Sequence, residues 1–538
     1  MIGRWSRLSR REFVWAAAGT TLGGVPAVAR RRRQRRGGVI KHIGLDPPSF
    51  DIHGTVSYET QLASSFVHRT LFKFVQGARS GPLDFTLAPD LALRADVSTD
   101  GKTCTIALRP DVRWESRAPL YGRELTAADV KYSLDRAIKK SGYASLLGAI
   151  DGVETPDRHT VRIHLRDRYA PFVHNLAEPW NAILPREVED KFGDFKSADS
   201  MIGCGPFVLE RYEAGVKAVF ARNPTYYERG LPYVDRVEWI FLQDRATQLS
   251  LFRAGQIDVP FYDGRIPRSD VASLKESNPT YPVVSWDWLA VRTLAMRTDR
   301  APLNDVRVRR ALSLAIDRRN WVARYVEGQG YADHGPVPEP MRRWKLPAKD
   351  GSGAASWGEY NPTLARQLLA EAGFPTGMKL RCTSWAGYGA EYVEELDWLA
   401  ASLKGIGVEL SIVNEDYGHY IRGSFLGKFD ELSWGPSSLF TEIDGYLYNF
   451  FKSGEPSNRS HVSDVKLDIM LDAQRRAASR SSRKQAIDDI QRYTADRVFY
   501  IYTPYPKQVS SWNARLRNYA PKNSLDKGAQ LEVVWLDA

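Results

Sequence analysis

Trp385 and Tyr388 lie in the stretch CTSWAGYGAEY, in a loop expected to follow a strand, and Tyr502, Tyr505 and Lys507 lie in YIYTPYPKQV. Flat aromatic faces of this kind stack on sugar rings and on peptide side chains alike. They belong to a chain with 15 tryptophans, eight of which fall between Trp286 and Trp434. For any single one of these rings, packing in a core is as good a use as contact with a ligand; Trp398, within YVEELDWLAASLKGIG, reads as core.

Catalytic signatures are missing from the same sequence. There is no G-x-x-x-x-G-K-[ST], no G-x-G-x-x-G after a strand, no H-E-x-x-H and no G-x-S-x-G. The nine histidines are scattered, and acid pairs such as Asp488-Asp489 and Glu394-Glu395 fall on polar helix faces. Cys104, Cys204 and Cys382 are far apart, without the C-x-x-C spacing of a zinc or redox site, and read as three buried small apolar residues. The expectation is a binding protein, with no enzyme activity, metal or cofactor.

The elements that must position these residues are readable. Asp100-Gly101 turns the chain into a strand with Cys104, Ile106 and Leu108 on one face, and DRHTVRIHLRD gives a matching strand with Val161, Ile163 and Leu165 inward. Between them Thr126 and Asp129 have the spacing of a capping box at the head of a helix with Val130, Leu134 and Ala137 as its stripe. LNDVRVRRALSLAIDRRNWV reads as one helix, with Val308, Leu312, Ala315 and Ile316 apolar and arginines on the opposite face. Asn361, Pro362 and Gly373 punctuate a further helix, strands such as MKLRCTSW and VELSIVNE alternate with these, and residues 348–356 read as a surface loop. The class is α/β.

Charge is terminal. The formal net charge is +11, but residues 1–36 hold ten arginines and one acid, leaving +2 for everything after them. A nucleic-acid footprint spread over the fold is therefore excluded, and no nucleic-acid partner is expected. Arg10 and Arg11 precede a short apolar stretch ending in Ala27-Val28-Ala29, the layout of a secretory signal. SRREFV resembles the twin-arginine export class, and the run Arg30–Arg36 then belongs to targeting, a nucleic-acid arm or a tether to anionic lipid being the other uses of such a run. No cysteine sits at the cleavage region, so a lipid anchor is not expected.

Several segments together resemble the family 5 extracellular solute-binding proteins, the peptide/nickel class that serves ABC importers. They are APDLALRADVSTDGKTCTIALRPDVRW and its continuation to residue 137, MIGCGPFVLERYEAGVKAVFARNPTYYERGLPYVDRVEW and its continuation to 259, PLNDVRVRRALSLAIDRRNWV, and YNPTLARQLLAEAGF. Cys204 stands where that family has threonine, and Tyr226 and Tyr227 are expected to pack against the domain surface. The resemblance implies a type II periplasmic-binding-protein fold with two hinged lobes and an additional domain. It implies a signal over 1–37, lobe I from 38–68, 199–284 and 508–538, an additional α+β domain over 69–198, and lobe II over 285–507. The crossings near residues 285 and 507 would be the hinge.

By the same resemblance the protein is an extracytoplasmic, monomeric capture subunit that delivers an oligopeptide to a membrane permease and its ATPase. An oligosaccharide or other solute is the alternative, and an exported hydrolase on the same scaffold a remote one. Candidate ligand contacts are Trp385, Tyr388, Trp434, Ser437, Ser438, Tyr502 and Tyr505. In peptide-binding relatives a W-x-x-D-like segment supplies an aspartate for the ligand's ammonium; here Trp434 matches the aromatic, but Ser437 replaces the acid. A hydroxyl leaves a buried ammonium uncompensated, and Glu442 or Asp444 could serve only if the loop is shifted.

Overall fold

A computed structural model describes residues 34–332, 335–347 and 357–537. Arg10, Arg11, the basic run up to residue 33 and the 348–356 loop lie outside the described residues. Among those described, no helix is long and apolar enough to cross a membrane.

Strand β1 (Val39–Gly44) leads into helix α1 (Tyr58–Ser64), capped by Ser57. An antiparallel sheet follows, made of β2 (Ala92–Val97), β3 (Thr103–Leu108), β4 (Ile150–Asp157) and β5 (Thr160–Leu165) in the order β2-β3-β5-β4. The alternation in the sequence becomes its packing: Cys104, Ile106 and Leu108 are buried, with Cys104 opposite Ile163 and Ile106 opposite Val161. Helix α2 (Ala127–Lys140) starts where the Asp129 carboxylate accepts the Thr126 N–H at 2.8 Å, and Val130, Leu134 and Ala137 join that sheet's core.

The chain then returns to β1 through β6 (Phe207–Glu213), β7 (Lys217–Arg222) and β8 (Arg236–Phe241), giving the order β1-β8-β7-β6 with β1 parallel to β8. Before β6 the turn carrying Cys204 survives the exchange of threonine for cysteine. Side chains at Gly203 or Gly205 would collide with the Val67 carbonyl, so it is the glycines that this close approach demands. Tyr226 and Tyr227 are buried, and their hydroxyls donate to Glu532 at 2.6 Å and Asp90 at 2.5 Å.

After helix α3 (Arg245–Arg253), strand β9 (Val283–Trp286) carries the chain into a five-stranded sheet. Its elements are β10 (Arg292–Met296), α4 (Val306–Leu314), α5 (Arg318–Tyr325), α6 (Pro362–Glu371), β11 (Met378–Ser384), α7 (Ala390–Lys404), β12 (Val408–Asn414), β13 (Leu432–Pro436), α8 (Ile443–Phe451) and β14 (Tyr500–Thr503). The order is β12-β11-β13-β10-β14, with β11 parallel to both neighbours and β10 antiparallel to both of its own. Strand β15 (Gln508–Ser511) runs back antiparallel to β9, so the two crossings lie side by side, Ser285 opposite Val509.

One expectation is corrected here. The stretch read as a single helix over 303–322 is two, α4 and α5, because Asp317 accepts the Asn320 N–H at 3.0 Å and starts a new helix. Its arginine face is not wholly solvated either. Arg309 is buried and donates to the carbonyls of Leu303 and Val498, and Arg318 donates to the carbonyl of Tyr502 at 2.8 Å, tying the helices to β14.

Candidate functional site

The two faces of the five-stranded sheet serve different cores. Leu294, Leu432, Trp434 and Ile501 point into the core shared with α4, α6 and α7, whereas their neighbours Ala295 and Tyr502 point into a larger aromatic-rich cluster that continues into the β1/β8 sheet. That continuous cluster is where the two halves of the chain meet.

On the side of the five-stranded sheet, β11 ends at Ser384 and the chain turns through Trp385 to Tyr388 before α7 begins. The Trp385 ring lies 4.7 Å from Tyr388, at 73°, and 4.6 Å from Tyr417. Tyr388 in turn lies 5.1 Å from Tyr392 and 6.0 Å from Tyr420. Edge-on and tilted contacts of this kind are the favoured arrangement of aromatic rings, and they gather these side chains into one cluster.

The opposing surface comes from α1, α3 and the segment after it. Arg245 stacks 3.6 Å over Phe261, and Arg265 lies 4.3 Å over Tyr262 and 4.8 Å over Trp288. A side chain added at Gly389, at the head of α7, would come within 3.9 Å of the Arg245 guanidinium, so the two surfaces touch. The segment is held in an unusual backbone: Tyr262 has φ 51° and ψ −117°, a conformation costly for a tyrosine and typical of functional sites. Two hydrogen bonds cross between the surfaces. Tyr58 donates its hydroxyl to the Ser437 carbonyl at 3.0 Å, and the hydroxyls of Ser57 and Tyr417 are 3.0 Å apart.

Burial sets the electrostatics. It pushes the phenols of Tyr58, Tyr262 and Tyr388 well above their usual range, so they act as neutral hydrogen-bonding groups. Burial and the neighbouring Arg265 lower Arg245 to about 10, which leaves it charged at neutral pH. Glu59 is pushed up to about 7 by burial, although it accepts from the Tyr262 hydroxyl at 2.6 Å.

The candidate residues separate by geometry. Trp385 and Tyr388 come together, and Ser437 is tied to Tyr58 of α1. Ser438 is hydrogen-bonded to Tyr143 of the segment between α2 and β4. Tyr502 and Tyr505 share the large cluster, but their rings pack on Tyr500 and Tyr331. Trp434 requires a correction: it is 1 % exposed and faces the opposite core, 5.8 Å from Tyr392, because the side-chain period of β13 places it with Leu432. It walls no inter-lobe surface. The acids considered as replacements at Ser437 are also committed elsewhere. Glu442 pairs with Arg483 and the buried Asp444 with Arg475, each at 2.7 Å. Sequence reasoning missed Tyr58, Tyr262, Tyr417, Arg245 and Arg265; the one local signal was Gly264, whose left-handed turn presses the segment onto the Ser511 carbonyl.

Two lobes joined by paired crossings, with a further sheet-and-helix unit inserted into the first, define the type II periplasmic-binding-protein fold. The family model for bacterial extracellular solute-binding proteins, family 5 Middle, matches residues 86–458, and the chain belongs to that family. The chain is 25% identical over 505 residues to a di/tripeptide-binding protein 2 of Pseudomonas aeruginosa, covering 88% of this chain and 90% of that one. It is 26% identical over 457 residues to the periplasmic oligopeptide-binding protein OppA of Escherichia coli, covering 80% of each. Among solved structures, the periplasmic binding protein DppA of Helicobacter pylori in complex with the peptide STSA superposes with a TM-score of 0.81. It is 23% identical and covers 94% of this chain and 99% of that one.

Proposed function

We propose that the protein captures an oligopeptide between its two lobes and delivers it to the permease of an ABC importer, without turning it over. The observation that carries this is the pair of apposed aromatic surfaces bridged by the Tyr58–Ser437 and Ser57–Tyr417 hydrogen bonds. Solute enclosed there makes contacts that exist only when the lobes are closed, and that differential affinity drives closure. The peptide-binding relatives support the solute class. In this reading lobe I comprises 38–68, 199–284 and 508–538, the additional domain 69–198 and lobe II 285–507, with the paired β9 and β15 as the hinge. Trp385, Tyr388 and the Ser437–Ser438 loop face the solute, with Tyr502 and Tyr505 behind them. In this reading export through Arg10 and Arg11 delivers the protein, as a monomer, outside the cytoplasm.

The test is the melting temperature of residues 37–538 against a panel of di- to pentapeptides and oligosaccharides. A peptide present at a hundred times its Kd stabilises by about 2.7 kcal/mol. Stabilisation by oligosaccharides and by no peptide would reverse the assignment of solute class.

A further inference from the structure

Two guanidinium groups stand together on the lobe I surface. Arg245 and Arg265 act on each other electrostatically, and among the described residues neither has a carboxylate within ion-pair distance. Among the described residues Arg245 donates one side-chain hydrogen bond, to the Gln248 side chain at 3.3 Å, and the buried Nε of Arg265 has no partner. Their contacts are otherwise with rings, Phe261, Tyr262 and Trp288, and stacking on a ring returns less than a guanidinium loses on leaving water.

The nearby acids act on them without pairing, Glu59 on Arg265 and Glu391 on Arg245, neither within ion-pair distance. Asp263 is paired with Lys527, Glu395 with Arg292, and Glu59 is engaged by Tyr262 and the Leu45 N–H. Glu391, which acts on Arg245 across the lobe interface, is exposed. On the lobe II side Arg459 is 1 % exposed and stacks 4.7 Å over Phe425; its Nη2 donates to Thr293 and to the Pro436 carbonyl at 3.3 Å, while among the described residues its Nε and Nη1 have no partner. Arg245 and Arg265 are half-buried, so two like charges stand partly desolvated beside one another, a state that an anion at the pair relieves.

The position that would hold an ammonium is the converse. Ser437 has its hydroxyl on the Ser438 carbonyl at 3.0 Å and its own carbonyl on Tyr58, and among the described residues no carboxylate is bonded to it. The guanidinium pair supplies positive charge, while Glu59, the acid that acts on Arg265, is pushed up to about 7 by burial and so is only partly ionised at neutral pH.

We propose that the inter-lobe site is specific for an acidic solute whose carboxylate is held by the guanidinium pair of Arg245 and Arg265, and that this contact, rather than capture of an ammonium, is its main electrostatic anchor. A planar guanidinium offers two parallel N–H donors to a carboxylate, and two of them can serve both oxygens. The proposal rests on the inter-lobe surface being the binding site, and it narrows the peptide class to peptides read at their acid end.

The experiment is calorimetric titration and thermal shift of residues 37–538 with Ala-Ala-Ala as the free acid, as the C-terminal amide and as the N-acetyl acid, with gluconate as a non-peptide acid. The free acid is expected to bind about 10- to 100-fold more tightly than the amide, the range for hydrogen bonds to a charged group. N-acetylation is expected to cost less than about threefold. Arg265→Gln and Arg245→Gln should each remove the preference for acid over amide, while Arg265→Lys keeps part of it; ligand-free melting temperatures report whether each variant is folded. Amide and acid binding alike to the parent protein would overturn the proposal while leaving peptide capture intact. Binding of gluconate without any peptide would do the opposite. Stabilisation by none of the acids would overturn it as well.

Discussion

Tyr58→Phe removes one hydroxyl and nothing else from the interface between the lobes. The ring stays in place, packed against the inter-lobe cluster, and the lost contact is the 3.0 Å bond to the Ser437 carbonyl. A neutral hydrogen bond contributes about 0.5–1.5 kcal/mol net, and the buried carbonyl left behind costs about 1–3 kcal/mol if nothing replaces the donor. In the proposed division Tyr58 belongs to lobe I and Ser437 to lobe II, so this loss falls on the closed state alone. A change of about 1.4 kcal/mol in the closing equilibrium lowers the apparent affinity for solute about tenfold. Stability of the separate lobes should be nearly unaffected. The assay is calorimetric titration of a bound peptide into the parent and the variant, with small-angle scattering of each at saturation. Unchanged affinity, with equal compaction in both proteins, would refute the reasoning that this bond belongs to the ligand-bound, closed state.

Other expectations are more local. Trp434→Ala should destabilise by about 3–5 kcal/mol in denaturant titration, as for a large buried aromatic, yet leave the affinity of the folded protein within about twofold. Glu442→Gln strips the buried Arg483 of its half-buried charged partner, leaving only its bond to Gln474, and should destabilise by up to about 3 kcal/mol. Glu59, pushed up to about 7 by burial against an ordinary 4.5, binds its proton more tightly folded than unfolded. Its contribution is therefore full below the ordinary value and lost as pH rises toward 7. Glu59→Gln should be more stable than the parent at pH 8, by up to about 3 kcal/mol, and the difference should vanish near pH 4 in paired melting curves.

The sequence made the scaffold legible where structure is local. Alternation in 103–108 and 160–165 specified a paired ladder, and Thr126, Asn361 and Pro362 specified helix starts that the chain adopts. The break at Asp317 was hidden because the apolar stripe continues through it, and periodicity carries no information about a cap inside a run. The site was less legible. Trp385 and Tyr388 are close in sequence and meet in space, whereas the surface they face is assembled from α1, the start of α3 and the 261–265 turn, more than a hundred residues away. Arg245 and Arg265 are 20 positions apart with no common period, so only the fold sets them side by side. Trp434 failed for the opposite reason: family position suggested a site wall, but its place beside Leu432 on β13 turns it inward.

Solute capture by closure is tested most directly by small-angle scattering of residues 37–538 with and without a peptide that raises the melting temperature, the peptide being recovered afterwards and weighed by mass spectrometry. Closure on the solute predicts a smaller radius of gyration at saturation and an unaltered peptide. Binding without compaction, or recovery of a cleaved peptide, would contradict it.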